Sequence, residues 1–548
     1  MQKLYTFSVT TNISIVLIWA SMLLFSEFYY TSFWSDILIV SLLLISGILL
    51  FIKGDLKFFK IIVYSELFIS PIFYYYLFHK MLIIPILYLI LIIGILTKRL
   101  DIASLVNLFV VGIFKPVYNS FGTDELMIDY YSAYQFLHGL NPYNPNVTNN
   151  VFFVYHVSPY IYGTPYTTGG FVTNLNYPSL SFLLLIPAVL FHFNPNYILL
   201  FFYVILPLIM KFKLDNSSFL LFISAYFFNV YYFLYSTGGI DNIVWVTFLI
   251  ISFLVKDEWL KGVFYGLSVS YKQDPLIFLP FYMIELYREK KNLSKFLIGA
   301  IVTFFILNGY FIAISPHYYF TDLLTPLFSN LLEIGFGLDI FSVNGFFYEF
   351  KDFFFFTQLF IFSVSLYLFI KRKISNYIGS IYFFMFFMYR MLWNYVMYIP
   401  IFNYLDNKVE NKISLRKDVI KPLFLVSLVI FSFALIFHYA YFSYYNSIKI
   451  EVLHVFKTDG NITAMLVNVS YEGPLNKIKP MFRLFAINSY HGGNGLLWIS
   501  NSTWLERGEW EIVMIKSPLN ILGIAGGGYI IINAYYEDVN GFLYVNVS

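Results

Sequence analysis

The sequence predicts a polytopic α-helical membrane protein with a C-terminal antiparallel β-sandwich domain, and three observations predict it. Only 12% of the 548 residues are charged and 59% are hydrophobic, whereas a soluble domain carries about 25% charged residues. Apolar stretches close to the roughly 20 residues a helix needs to cross hydrocarbon recur from the N-terminus to residue 444. Beyond residue 446 short β-branched and aromatic runs replace them, separated by turn residues. Aromatic residues reach 22%, with 65 Phe and 49 Tyr, a composition suited to lipid contact and interfacial belts. The net charge of +3 is too small to suggest a nucleic-acid partner, and the absence of cysteine excludes disulfides, thiolate metal sites and Cys nucleophiles.

Taken in order, residues 9–25 form an apolar stretch behind Lys3 with no small-residue cleavage site after it, which reads as an uncleaved anchor. Segments near 9–27, 36–52, 61–78, 81–97 and 102–117 are long enough to cross, the last only just. Lys3, the Lys53, Lys57 and Lys60 group, and Lys98 with Arg99 fall on one side, which the positive-inside rule makes cytoplasmic. Residues 118–178 are then a large extracytoplasmic loop. The basic stretch 404–421 returns to the cytoplasm, and a helix over 422–444 carries the chain out again to residues 446–548. Acceptor sequons at Asn461, Asn468, Asn501 and Asn546 are compatible with that exterior placement. About seven strands separated by turns such as Asp459-Gly460-Asn461 and Asn540-Gly541 read as the β-sandwich.

Two stretches break the simple pattern. Residues 262–287 lie between basic flanks at Lys256/Lys261 and at 288–295, and residues 375–403 lie between Lys371-Arg372-Lys373 and the 404–421 loop. Each has two flanks of one sign and too few residues for two ordinary crossings. Each therefore reads as a hairpin of two short helices, with a polar tip at Tyr271-Lys272-Gln273-Asp274-Pro275 or at Arg390. Polar backbone at membrane depth is tolerated where it lines protein or water, so the tips are expected to rise into a cavity open to the outer side. In 178–255 four apolar runs give the wrong parity if all cross, and one of the runs 178–193 and 197–210 is expected not to span. The total is about 12 to 14 spans. Four regions result: 1–117, N-terminal transmembrane helices; 118–178, the first outer loop with an interfacial helix; 179–445, a transmembrane region with short hairpins and a second outer loop at 315–350; and 446–548, the exterior domain.

Chemistry-bearing residues gather at the outer side. The run Gly122-Thr123-Asp124-Glu125 opens a stretch whose apolar and aromatic positions at 126, 130, 133, 134 and 137 have helical spacing, ended by Gly139 and Pro142. It reads as a short interfacial amphipathic helix. Asp124 at its start serves either as a helix cap, with Glu125 complementing the dipole, or as a carboxylate able to take a proton from an acceptor hydroxyl. Lys272 and Arg390 at the hairpin tips are functional candidates, as intramembrane charges are by default; the other reading is a long side chain snorkelling to an interface. Asp241-Asn242 sits on a short outer turn. His138, His156, His192 and His317 stand singly, without metal-ligand spacing. The stretch 151–178 suggests a lid or sugar-contact surface, and 315–350, with Glu333, Asp339 and Asn344, a second cavity wall.

The run TDELMIDYYSAYQFLHGLNPY resembles the first-loop signature of polyprenyl-phosphate-sugar-dependent glycosyltransferases, the GT-C superfamily. Further pieces follow in the family's order. Asn176-Tyr177-Pro178-Ser179-Leu180 resembles the Tyr-Pro-Pro-Leu that closes the loop, and Thr237-Gly238-Gly239-Ile240-Asp241-Asn242 a later Gly-x-x-Asp turn. Residues 262–280, with Gly266-Leu267, Lys272-Gln273 and Pro275, resemble a segment of the mannosyltransferase-like branch. The chain departs in having Pro-Ser for Pro-Pro and four extra N-terminal helices, and it lacks the WWDYG-like motif of oligosaccharyltransferases.

The resemblance covers roughly residues 100–400. It implies inverting sugar transfer from a polyprenyl (dolichyl) phosphate-linked donor to a glycan, lipid or protein acceptor on the extracytoplasmic side of the cell membrane. Asp124 and Glu125 are then catalytic, with Asp124 the general base, and Lys272 and Arg390 grip the donor phosphate. Asp129, Tyr143, Tyr177, Asp241, Asn242 and Gln273 are the expected substrate contacts. No cofactor is expected, and dependence on a divalent metal is left open. The competing readings are a multi-pass transporter or lipid-linked sugar flippase, against which the charges cluster at one rim and no half-repeat is visible, and a membrane-anchored surface protein without catalytic activity.

Overall fold

The computed structural model describes residues 4–28, 32–78, 82–114, 121–346, 351–374, 376–405, 410–411, 439–486, 495–518, 524–525 and 528–547, with a few single positions between 425 and 436. Most of the helix expected over 422–444 and most of the basic 404–421 loop lie outside the described residues.

Five helices precede the first loop: α1 (Phe7–Phe28), α2 (Phe33–Leu49), α3 (Phe59–Phe78), α4 (Ile83–Leu96) and α5 (Leu100–Phe114). They match the five expected segments. Leucine and isoleucine fill them, and their lipid-type outer faces keep large apolar side chains such as Leu89, Ile93 and Leu96 exposed. Among the described residues four helices are long and apolar enough to cross a membrane: Phe7–Phe25, Asn196–Lys213, Leu293–Ile314 and Lys351–Ile370. A fifth results if Asn216–Phe228 and Val230–Thr237, bent by 63° at Asn229, count as one. Among the described residues that is fewer than the 12 to 14 expected of the chain, and several apolar runs there form helices of 10–17 residues. The 17 residues of α2 rise only about 25 Å against roughly 30 Å of hydrocarbon. The run 178–193 breaks into Leu180–Leu183 and Ile186–Leu190, in keeping with the expectation that one of the first two runs there fails to span.

Both hairpins are present as paired short helices. The first joins Glu258–Tyr271 through a 3-10 turn, Asp274–Phe278, to Leu279–Arg288; the second joins Ile378–Phe386 to Trp393–Val396 and a 3-10 segment, Ile399–Leu405. The first hairpin packs against Leu293–Ile314 through glycines. A Cβ on Gly262 would stand 2.0 Å from the Phe296 carbonyl oxygen, and one on Gly299 would stand 2.5 Å from that of Trp259. Small residues let two helix backbones touch where no solvent is squeezed out by association.

The basic flanks meet at one end of the bundle. Leu4–Thr6 pairs antiparallel with Gly54–Asp55 and with Glu410–Asn411, so the N-terminus, the 53–57 turn and the 404–421 loop form one small sheet. At the same end Lys211 pairs with Asp101. Both hairpin tips, the two large loops and the β-domain lie at the other end, in accord with the segregation that the positive-inside pattern predicts.

Among the described residues the C-terminal domain is an eight-stranded antiparallel sheet with a small two-stranded one, Lys477–Ile478 with Leu505–Glu506. Strand Asn461–Tyr471 pairs with Ile448–Thr458 on one side and Trp510–Lys516 on the other. The last strand, Val539–Asn546, pairs with Tyr529–Tyr536 and also closes onto the first, where Gly541 lies so near the Ile448 carbonyl oxygen that a Cβ there would meet it at 1.8 Å. The sheet thus curls nearly into a barrel, in place of two separate stacked layers. Its core keeps the alternation a sandwich would have: Ile462, Met465, Val467, Val469 and Tyr471 face in along one strand.

Gly262→Ala places a methyl against a backbone carbonyl that cannot rotate away. Overpacking of this kind costs about 1–3 kcal/mol, so the variant is expected to melt several degrees below wild type in detergent. An unchanged melting temperature would show that the hairpin does not depend on this crossing.

Candidate active site

The α6 helix (Asp124–Leu137) starts where two glycine turns interlock. Gly122 has φ +88° and Gly239 φ +87°; a Cβ on the first would lie 2.0 Å from the Gly238 oxygen and on the second 2.1 Å from the Phe121 oxygen. Only glycine takes this conformation at so close an approach. Thr123 then caps the helix, its hydroxyl accepting from the Leu126 N–H at 3.3 Å and donating to the Gly239 carbonyl at 2.6 Å. The capping role that residue type suggested for Asp124 therefore belongs to Thr123. Asp124 and Glu125 sit in the first turn beside Asp241 and Asn242, brought there by the interlock.

Lys272 ends the first helix of its hairpin and is 2% exposed. Its ammonium donates to the Glu125 carboxylate, to Asp241 Oδ1 at 3.1 Å and to Asn242 Oδ1 at 2.6 Å. It also lies 4.7 Å from the centre of the Tyr177 ring. An ammonium has three N–H groups, and all three are taken. Lys272 is thus a neutralising hub for two carboxylates, and direct contact with a phosphate would require it to give up one of them. Glu125, on the interfacial helix, is held well above the ordinary glutamate range by burial first and by the Asp241 charge second, against the pull of Lys272.

Asp124 faces elsewhere. Its Oδ2 accepts the Thr164 N–H at 2.8 Å and its Oδ1 the Glu125 N–H at 3.0 Å. Burial pushes its carboxyl above the usual aspartate range, while the Thr164 hydrogen bond and the Arg390 charge oppose the shift. Arg390 rises from the tip of the second hairpin, within electrostatic reach of Asp124, Tyr395, Tyr389 and Tyr177. Its Nη1 is buried and has no hydrogen-bond partner. Asp124 and Arg390 form no direct ion pair. Arg390 has not snorkelled out; it is held inside with donor capacity to spare.

The remaining predicted contacts divide. Tyr177 and Asn242 join the cluster, and the Asn242 amide also donates to the Asn394 carbonyl at 2.7 Å, tying the Lys272 site to the Arg390 hairpin. Gln273 is occupied as a brace: its amide donates to Asn176 O at 2.6 Å and Leu323 O at 3.1 Å, joining both outer loops. Tyr143 packs beneath the first loop. It is fully buried against Tyr319, and its hydroxyl donates to the Tyr177 carbonyl at 2.8 Å. Asp129, 1% exposed, accepts from the Ser181 hydroxyl at 3.1 Å beneath the site. Both were expected to touch substrate from their place in the motif, which here packs the loop.

Sequence reading missed Tyr395 and Thr164. One is a single tyrosine among 49, and the other acts through its backbone, which no side-chain pattern reveals. Among the described residues no group of three or more His, Asp or Glu is placed to hold a metal ion. Comparison of the chain with protein-family models, with curated proteins and with solved structures finds no match.

Removing one member of a buried charge pair costs about 3–5 kcal/mol, because the partner stays behind unpaired. Lys272→Met is accordingly expected to destabilise the protein strongly in detergent melts. Adding Glu125→Gln removes one of the stranded charges and should recover part of the loss; a double variant no more stable than Lys272→Met would contradict the hub assignment.

Proposed function

We propose that this chain is an inverting membrane glycosyltransferase of the GT-C type. In this reading it moves a sugar from a polyprenyl-phosphate donor to an acceptor hydroxyl on the extracytoplasmic side. The observation that carries the reading is a buried guanidinium nitrogen without a partner, on Arg390, within electrostatic reach of the Asp124 carboxylate, which is held by backbone N–H groups and has no salt bridge. In this reading the guanidinium takes an anion and the carboxylate takes the proton of a hydroxyl. The ordered resemblance from Thr123 to Pro280 supports the same chemistry, and the apolar helices around the site offer a place for a prenyl tail.

The acceptor O–H gives its proton to Asp124, and the oxygen forms a bond to the anomeric carbon from the face opposite the phosphate. The carbon–oxygen bond to phosphate breaks, and polyprenyl phosphate leaves with the electron pair. Its growing negative charge meets Arg390, which can bind two oxygens at once. Lys272, spent on Glu125 and Asp241, keeps the floor of the site near neutrality. A base held above the ordinary aspartate range is better matched to an alcohol proton at neutral pH. The β-domain stands on the side where an acceptor arrives, with the N-terminus cytoplasmic.

Purified protein would be tested for release of polyprenyl phosphate from labelled lipid-phosphate sugars. Asp124→Asn is expected to lower kcat by about 10²–10⁴-fold, and Arg390→Gln by about 10²–10³-fold. Equal turnover by Asp124→Asn and wild type would remove the base assignment, and no turnover by wild type with any such donor would remove the transferase reading.

A pH series gives a separate check. Protonated Asp124 cannot accept the acceptor proton, so kcat/KM should rise with pH through the carboxyl's elevated titration point and then level off. A profile that is flat across the acid range contradicts that role.

A further inference from the structure

Residues 330–345 of the second outer loop bond at once to the segments that flank both candidate reacting groups and to the β-domain. At one end the Thr167 N–H donates to the Asn330 carbonyl at 2.8 Å and the Leu332 N–H to the Pro165 carbonyl at 2.9 Å. These bonds hold the tight turn 164–172, whose first N–H is the one bound to Asp124 Oδ2. Farther along, the Phe336 N–H donates to the Met391 carbonyl, and the Met391 N–H returns the contact to Asp339 Oδ2, both at 2.8 Å. Met391 follows Arg390 directly. Phe336 also stacks on Trp393, with ring centres 3.7 Å apart. One segment therefore holds the N–H that steadies the base and the turn that presents the guanidinium.

The β-domain grips this segment from behind. Arg483 is 2% exposed, and its Nη1 donates to the Glu333 carbonyl at 2.6 Å while its Nη2 reaches the Val343 carbonyl at 3.5 Å. Its Nε donates to Asn533 Oδ1 at 2.8 Å within its own sheet. Tyr544 adds a hydroxyl to the Asn344 carbonyl at 2.9 Å, and Val343 packs in a small apolar cluster with Phe485 and Ile531. A guanidinium presents its donors in a rigid plane. Bonding Glu333 and Val343 from one fork pinches the neck of the loop to a set width.

We propose that residues 330–345 form a strap that sets the spacing of Asp124 and Arg390, and that Arg483 is the positioning residue through which the β-domain holds it. What is positioned rests on the transferase reading; that the strap depends on Arg483 does not. The β-domain is on this view a working part of the site, and anything that shifts it shifts the base and the guanidinium together.

Hydrogen exchange on the full-length protein in detergent tests the strap without using activity. Arg483→Ala and Arg483→Lys are compared with wild type and with Arg507→Ala, a β-domain arginine bonded to the Gly473 carbonyl away from the strap. Peptides covering 160–172 and 386–394 are expected to exchange faster in both Arg483 variants and to match wild type in Arg507→Ala. Unchanged exchange in both peptides, with the β-domain strands still protected, overturns the proposal. Should Arg483→Ala unfold the β-domain, Arg483→Lys decides by the same criterion, since it keeps the charge and lacks the fork. In activity, loss of the Thr164 N–H removes a hydrogen bond from ionised Asp124, so the acid limb of kcat/KM should move up by about one pH unit; a lower amplitude with an unmoved limb counts against positioning. A wild type that turns over nothing, with exchange still responding to Arg483, supports the strap and defeats the transferase reading alone.

Discussion

The bonding of Lys272 to Glu125, Asp241 and Asn242 is the contact on which the rest of this end of the molecule depends. A lysine that is 2% exposed beside an aspartate that is 1% exposed can exist only with its charge matched and its donors filled. Meeting that demand brings together three parts of the chain: the start of α6, the 237–242 turn and the tip of the first hairpin. The Asn242 amide carries the connection on to the second hairpin at Asn394, and the Tyr177 ring closes the first loop over the ammonium. The cluster is a structural lock first. Its consequence for chemistry is that Arg390, alone of the two hairpin-tip cations, has donor capacity left.

The backbone makes this convergence possible. Interlocked glycines at 122 and 239 let two turns approach closer than any side chain permits, and the glycines of the first hairpin do the same for two helices. Short helices serve the same end. A full-length span would carry its polar terminus past the rim, whereas a hairpin of two short helices stops inside the fold with its tip side chain buried.

Much of this was legible. The apolar segments, the basic end, the two hairpins with Lys272 and Arg390 at their tips, and the change to strand periodicity after 446 all follow from charge placement and spacing. Glu125, Asp241 and Asn242 were singled out and do meet, on Lys272, while Asp124 turns to the Thr164 N–H. What each of these residues touches was not legible. Tyr143 and Asp129 lie in a conspicuous run; the Tyr143 hydroxyl bonds Tyr177 O, and Asp129 accepts from Ser181 through Oδ1 while its Oδ2 is buried without a hydrogen-bond partner. Thr123 took the cap expected of Asp124, because a β-region residue one position earlier meets the Leu126 N–H.

The sequence by itself determined the apolar helical class, the sidedness of charge and the existence of a C-terminal antiparallel domain, because these depend on composition and local period. Tertiary structure alone decided that Lys272 is saturated while Arg390 is open, that the sheet curls toward a barrel, and that Arg483 reaches across to the second loop. Those outcomes turn on which donors are already satisfied and which backbones can touch, and such pairings join residues far apart in the chain that no local pattern relates.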